Sequence, residues 1–221
     1  FIQGLQGEGI SATIKHFAGN ESEIQRTTMS SQIDERALRE PYLAPFEMAV
    51  KEGGTWGIMS SYNKVNGTYA AESHWLLTEV LRGDWGYDGL VMSDWFGSRS
   101  TAPTVNAGLD LEMPGPTRDR GAKLLAAVEA GEVTAETVAK RAQNVLRLME
   151  RVGSLADRRS HEEHAQDRPE HRELIRRAGA EGAVLLKNKG GVLPLSMAGT
   201  GKIAVIGPNA KTAQIMGGGS A

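Results

Sequence analysis

The apolar residues of this chain fall into two alternating patterns. Short runs bounded by glycine or proline alternate with longer stretches in which apolar positions recur every three to four residues. The first pattern predicts strands buried on both faces, as in a parallel sheet, and the second predicts amphipathic helices. A strand is predicted over 10–17, ending in Lys15 and His16, and the polar segment from Gly19 to Gln32 reads as a loop. A helix follows from Asp34 to Lys51 through Ala37, Leu38, Tyr42, Phe46, Met48 and Ala49, with Pro41 and Pro45 expected to kink or divide it. Residues 56–63 predict a second strand, and Asn66-Gly67 is a turn signal. Ser73 can cap a helix carrying Leu76, Leu77, Val80 and Leu81, stopped by Gly83. Gly89-Leu90-Val91-Met92-Ser93-Asp94-Trp95 is the third strand, and Gly108 to Pro114 the fourth. Helices over 119–130, stopped by Gly131, and from Thr134 through Val138, Ala142, Val145, Met149 and Val152 complete this part.

Strand and helix thus alternate, which implies a parallel α/β sheet with right-handed crossovers. Four such units are about half of an eight-fold barrel, which needs roughly 250 residues, so the expected fold is the C-terminal part of a (β/α)8 TIM-like barrel over 1–152. Residues 153–168 turn polar and charged and read as an exposed linker. From Pro169 a helix, a short strand at 183–186, the Leu193-Pro194-Leu195 segment and a strand at 202–206 read as the beginning of a second α/β domain over 169–221. The chain opens at Phe1, not at a methionine, and closes on Gly217-Gly218-Gly219-Ser220-Ala221, so both ends read as cut from something longer.

Composition narrows the chemistry. A net charge of -2 offers no basic field for nucleic acid or an anionic membrane. No apolar run reaches the ~18 residues of a membrane span. There is no cysteine, which excludes thiol chemistry and disulfides here but does not fix a compartment. The linker run His161-Glu162-Glu163-His164 has one residue too few before its second histidine for the metalloprotease spacing. Gly207 to Thr212 has no glycine ahead of Lys211 and so is no phosphate loop.

What remains is at the strand ends, where α/β folds place their chemistry: Lys15 and His16, Tyr62, Asp94 and Glu112. On its own stretch Asp94 fits equally a capping aspartate with a core Trp95 or a catalytic carboxylate beside an aromatic sugar platform. Trp56, Trp75 and Trp85 read as packing residues, and Glu35, Arg36, Arg39 and Glu40 as ion pairs along a helix.

Taken in order, Lys15-His16-Phe17, Glu35-Arg36-Ala37-Leu38-Arg39-Glu40, Met59-Ser60-Ser61-Tyr62-Asn63, Val91-Met92-Ser93-Asp94-Trp95 and Leu185-Leu186-Lys187-Asn188 with Leu193-Pro194-Leu195 resemble the family 3 glycoside hydrolases, particularly their β-glucosidases. The resemblance covers nearly the whole chain. It implies a retaining exo-β-glycosidase acting on a small glycoside, with no metal or cofactor. Asp94 corresponds to the nucleophile, Lys15 and His16 to the pair that binds sugar hydroxyls, Tyr62 to a tyrosine near the nucleophile, Met59 to a lining residue and Trp95 to an aromatic wall. Ionisation of the nucleophile would be favoured by a nearby Lys15 ammonium and the Tyr62 hydroxyl. The chain departs from the subset active on N-acetylglucosaminides, because Ala18-Gly19-Asn20-Glu21-Ser22 lacks that subset's loop histidine. The family's acid/base glutamate is expected beyond residue 221; no motif supports Glu21, Asp110 or Glu112 in that role. The 221 residues alone are therefore expected to lack useful activity. The competing reading is a non-catalytic carbohydrate-binding or scaffold derivative of the same fold, with a metal-dependent hydrolase a distant third.

Overall fold

A computed structural model of the chain describes residues 1–157, 166–196, 198–199 and 201–214. The chain divides into two compact units, Phe1–Ser160 and His161–Ala221.

The first unit opens with α1 (Ile2–Gly7) and is built on three parallel strands, β1 (Thr13–Phe17), β3 (Gly57–Ser60) and β6 (Leu90–Ser93), adjacent in that order. A helical layer covers one face of this sheet. It is made of α2 (Glu35–Ala37), a π-helical turn (Leu38–Leu43), α3 (Ala44–Lys51) and a second π-helical segment (Trp75–Asp84). As expected, the first helix is divided, the π-helical turn separating α2 from α3. Pro41 lies inside the π-turn and Pro45 in the first turn of α3, where a missing N–H is least costly. Phe17, Ile58 and Val91 turn toward Leu38, Leu43, Phe46, Leu77, Val80 and Leu81 and form one buried cluster. The Phe17 ring meets Phe46 and Trp85 edge-on at 5.0 and 6.0 Å. Met59 and Met92 pair in register on the other face, both half-buried.

Local signals behave as the sequence predicts in several places. Ser73 Oγ accepts from Leu76 N at 3.2 Å. Thr134 Oγ1 accepts from Thr137 N at 3.1 Å to open α6 (Ala135–Arg151). Asn66 and Gly67 have φ of 50° and 92°, the paired positive values of a tight hairpin turn, and join β4 (Lys64–Val65) to β5 (Thr68–Tyr69). β2 (Ser30–Ser31) adds to that hairpin from the loop after β1. The second π-helical segment runs past Gly83 to Asp84. A short α4 (Ala102–Ala107) precedes Gly108, and α5 (Ala122–Glu129) follows.

The predicted fourth strand, Gly108 to Pro114, is reduced to a single bridge between Met92 and Leu111. The reason lies at Asp110. Its carboxylate, not a backbone carbonyl, accepts the Val91 N–H at 2.8 Å, and the ladder is interrupted there. The same carboxylate takes Arg82 Nη2 at 2.7 Å and Asn144 Nδ2 at 2.9 Å, with Arg141 Nη1 3.2 Å away. Burial pushes the Asp110 carboxyl upward, while Arg82, the Val91 N–H, Arg141 and Asn144 pull it down.

In the second unit, α7 (Pro169–Glu181) opens on its proline as predicted. The strands expected at 183–186 and 202–206 form no ladder among the described residues, and Leu186 and Ile206 are each 91% exposed. An apolar run specifies burial, but a strand exists only where another strand accepts its hydrogen bonds. The linker expected over 153–168 is described only at 153–157 and 166–168, and the His161 to His164 run and Gly217 to Ser220 lie outside the described residues.

Candidate active site

Three consecutive strand ends converge. After β1 comes the Ala18–Gly19 turn, after β3 the Ser61-Tyr62-Asn63 segment, and after β6 Asp94. The first two are clamped together. Ser61 N and Oγ donate to Phe17 O and Ala18 O at 2.8 and 2.9 Å. Asn63 Nδ2 reaches Ala18 O and Gly19 O at 3.2 and 3.1 Å. Both side chains are buried, so the backbone polar groups of these turns are satisfied without water.

The strand register then aims the side chains. β1 and β3 pair Ile14 with Ile58 but Phe17 with Ser60, so β1 carries one extra residue at Lys15–His16. This bulge breaks the strict alternation of faces. It brings His16 Nε2 to 3.1 Å from Asp94 Oδ2. Tyr62 Oη lies 3.0 Å from Asp94 Oδ1 and 2.9 Å from Trp95 O, so its single proton is shared between the two acceptors. The Trp95 N–H donates to the same Oδ1 at 2.7 Å. The Asp94 side chain is 13% exposed and that of His16 34%, so the carboxylate is sheltered but reachable.

The electrostatics keep both neighbours neutral near pH 7. Burial holds the His16 imidazole below its usual value; Asp94 opposes this, and Lys15 and Arg26 reinforce it. Burial and then the hydrogen bond to Asp94 push the Tyr62 phenol upward, so it stays a donor. The sequence placed the Lys15 ammonium beside the nucleophile. Lys15 forms no ion pair with Asp94; it is exposed and lines, with His16, Asn20 and Glu21, a cleft of about 380 Å³. At the bulge it is His16 that faces the carboxylate. Trp95 is 49% exposed and Met59 half-buried on the face opposite the helices.

Sequence reasoning missed Arg26. Its guanidinium lies 4.9 Å over the Tyr62 ring and is paired with Glu23 at 2.6 Å. A basic residue in an otherwise polar loop carries no periodic signal. Trp56, Trp75 and Trp85 pack as expected, the first two under Arg151 and Arg39. Glu35–Arg39 and Arg36–Glu40 are exposed i, i+4 pairs at 2.8 and 2.9 Å. Among the described residues no group of three or more histidine and acidic side chains could hold a metal, and no helix is long and apolar enough to cross a membrane.

The sequence of residues 1–148 matches the glycosyl hydrolase family 3 N-terminal domain, and residues 183–221 match the C-terminal domain of the same family. The chain belongs to glycosyl hydrolase family 3. It is 64% identical over 221 residues to a beta-glucosidase from Rhizobium radiobacter, covering all of this chain and 27% of that protein. It is 53% identical to beta-glucosidase B from Emericella nidulans, covering all of this chain and 26% of the relative. Among solved structures, the beta-glucosidase from Kluyveromyces marxianus in complex with glucose superposes with a TM-score of 0.79 at 43% identity, over 88% of this chain and 24% of that one. Beta-glucosidase 3B from Thermotoga neapolitana, also with glucose, gives 0.77 at 39% identity, over 89% and 28%. The chain spans about a quarter of the length of the curated relatives it matches. The family 3 likeness bears out the α/β fold expected from the sequence, that of part of the family's barrel and the start of its following domain.

Proposed function

We propose that this chain is part of a retaining exo-β-glycosidase that hydrolyses terminal β-D-glucosides by double displacement, with Asp94 as the nucleophile. The observation that carries this is the three-sided hold on Asp94 at the carboxyl end of β6, by His16, Tyr62 and the Trp95 N–H. These donors orient the carboxylate without a cation in contact, which leaves its lone pairs available for attack. Asp94 attacks the anomeric carbon and displaces the aglycone, giving a glycosyl-enzyme that water then hydrolyses. Lys15 and His16 bind sugar hydroxyls, Met59 lines the subsite, and the exposed Trp95 supplies an apolar face. Glucose as the sugar is supported by the relatives' names and by the two neighbours that hold it.

The second carboxylate of a retaining pair stands about 5 Å from the first. We place it beyond residue 221, with 1–152 as the later part of the barrel, 153–168 as linker and 169–221 as the start of the second domain. The 221-residue chain alone then lacks useful turnover. A 2-deoxy-2-fluoroglucoside tests the reading in the complete polypeptide: peptide mapping should find the label on Asp94. Absence of label with sugar binding retained would establish a non-catalytic binding protein instead.

A further inference from the structure

We propose that Asp110 is a positioning residue for the reaction assigned to Asp94, acting through the strand on which Asp94 is mounted; this rests on the reading of Asp94 as nucleophile. β6 is held along one edge by β3. Its other edge has no full partner strand. There Asp110 N and Leu111 N donate to Val91 O at 2.9 and 3.1 Å, and Ser93 N donates to Leu111 O at 2.9 Å. The Val91 N–H on that edge needs an acceptor, and the Asp110 carboxylate is that acceptor at 2.8 Å.

A side chain can replace a ladder carbonyl only if it is itself immobile. Asp110 meets that condition. Its side chain has no exposed surface, and its two oxygens are met by Arg82, Asn144 and Arg141 from two separate helical segments. The same Arg82 also donates from Nη1 to Gly89 O at 3.2 Å and to Tyr87 O at 3.4 Å. The buried Tyr87 hydroxyl donates to Leu90 O at 2.8 Å. One guanidinium–carboxylate pair therefore fixes the chain immediately before β6 and at its second residue. Further along the same edge, Ser93 Oγ accepts from Met113 N at 2.9 Å and Phe96 N donates to Met113 O at 2.8 Å. The segment beginning at Asp110 thus fastens both ends of the strand and the turn after it.

Asp94 lies three residues beyond Val91, about 10 Å along a strand rising about 3.3 Å per residue. No direct contact joins the two aspartates, so Asp110 can influence Asp94 only by setting the strand's position. A close-packed interior transmits such a displacement instead of absorbing it. A shift of about 1 Å at a reacting group can cost about a hundredfold in rate.

The test uses the complete polypeptide and Asp110→Asn, with Asn144→Leu as a milder second variant that leaves both arginines and the Val91 acceptor in place. The substrate is a dinitrophenyl β-glucoside, whose leaving group needs no acid. For Asp110→Asn, kcat/KM should fall about thirty- to a hundredfold, and for Asn144→Leu about threefold to tenfold. In both, glucose should inhibit as in the parent, and a crystal structure should show Asp94 moved away from His16 and Tyr62. Unchanged kcat/KM in whichever variants fold, with Asp94 in place, overturns the proposal and leaves Asp110 a stabilising residue only. If the parent turns over no β-glycoside, the nucleophile reading fails, while the position of Asp94 in the variant crystals still decides whether Asp110 sets it.

Discussion

Two aspartates lie on either side of the same strand and are treated in opposite ways. Asp94, at the carboxyl end of β6, keeps 13% of its side chain in solvent and is met by a histidine, a phenol and a backbone N–H. Asp110, against the amino end, has none in solvent and is enclosed by two arginines, an asparagine and a backbone N–H. The carboxylate proposed to form and break a covalent bond is held by neutral donors and left reachable. One that must stay put is paired with cations and sealed. The division follows the general rule for barrels, with chemistry at the carboxyl face and stability at the other.

Four experiments would break or sharpen that contrast. Asp94→Asn should lower kcat of the complete enzyme by about four orders of magnitude, about 5.5 kcal/mol at 1.36 kcal/mol per decade. Its melting temperature should stay near the parent's; a substantial fall would mean that Asp94 is structural after all. Asp110→Ala should strike stability first, costing about 3–5 kcal/mol in urea titrations because Arg82 and Arg141 would be left buried without their counterion, with a smaller loss of kcat/KM than Asp94→Asn. Tyr62→Phe removes a hydrogen bond to a charged group, in the range of about 1.5–3 kcal/mol. It should reduce kcat/KM about ten- to a hundredfold with stability little changed. The smallest effect is at His16. Its folded pKa lies below the unfolded value near 6.5, so the unfolded chain takes up the proton first as pH falls. Stability should therefore decline as pH falls from about 7 through the unfolded value, levelling off below the folded one. His16→Gln should flatten that part of a plot of urea midpoint against pH.

The three parallel strands and the helices between them were legible because burial imposes a period on the sequence. What escaped was set by contacts across long separations. The bulge at Lys15–His16 is a matter of register between β1 and β3, which neither segment encodes alone, and it is His16, not Lys15, that meets Asp94. Gly108 to Pro114 has the apolar run of a strand, but the Asp110 side chain takes a bond that a strand would give its backbone. Residues 183–186 and 202–206 show the same limit from the other side, since an apolar run does not name its partner. Ser61 and Asn63 read as polar residues at the far end of a predicted strand. Their function as clamps appears only once Ala18, 43 and 45 positions earlier, is beside them.

The Asn66-Gly67 turn has a consequence for how this molecule ages. Asparagine before glycine is prone to deamidate, because the next backbone nitrogen can attack the side-chain amide and close a succinimide ring. In the folded chain both reacting groups are occupied: Asn66 Oδ1 and Nδ2 are bonded to Ile33 N and O at 2.9 and 2.8 Å, and the Gly67 N–H is bonded to Ser30 Oγ at 2.8 Å. Ring closure must wait until the hairpin opens. Isoaspartate at position 66, read by peptide mapping of stored protein, should therefore accumulate in proportion to time spent unfolded. Equal accumulation in folded and denatured samples would refute that clock.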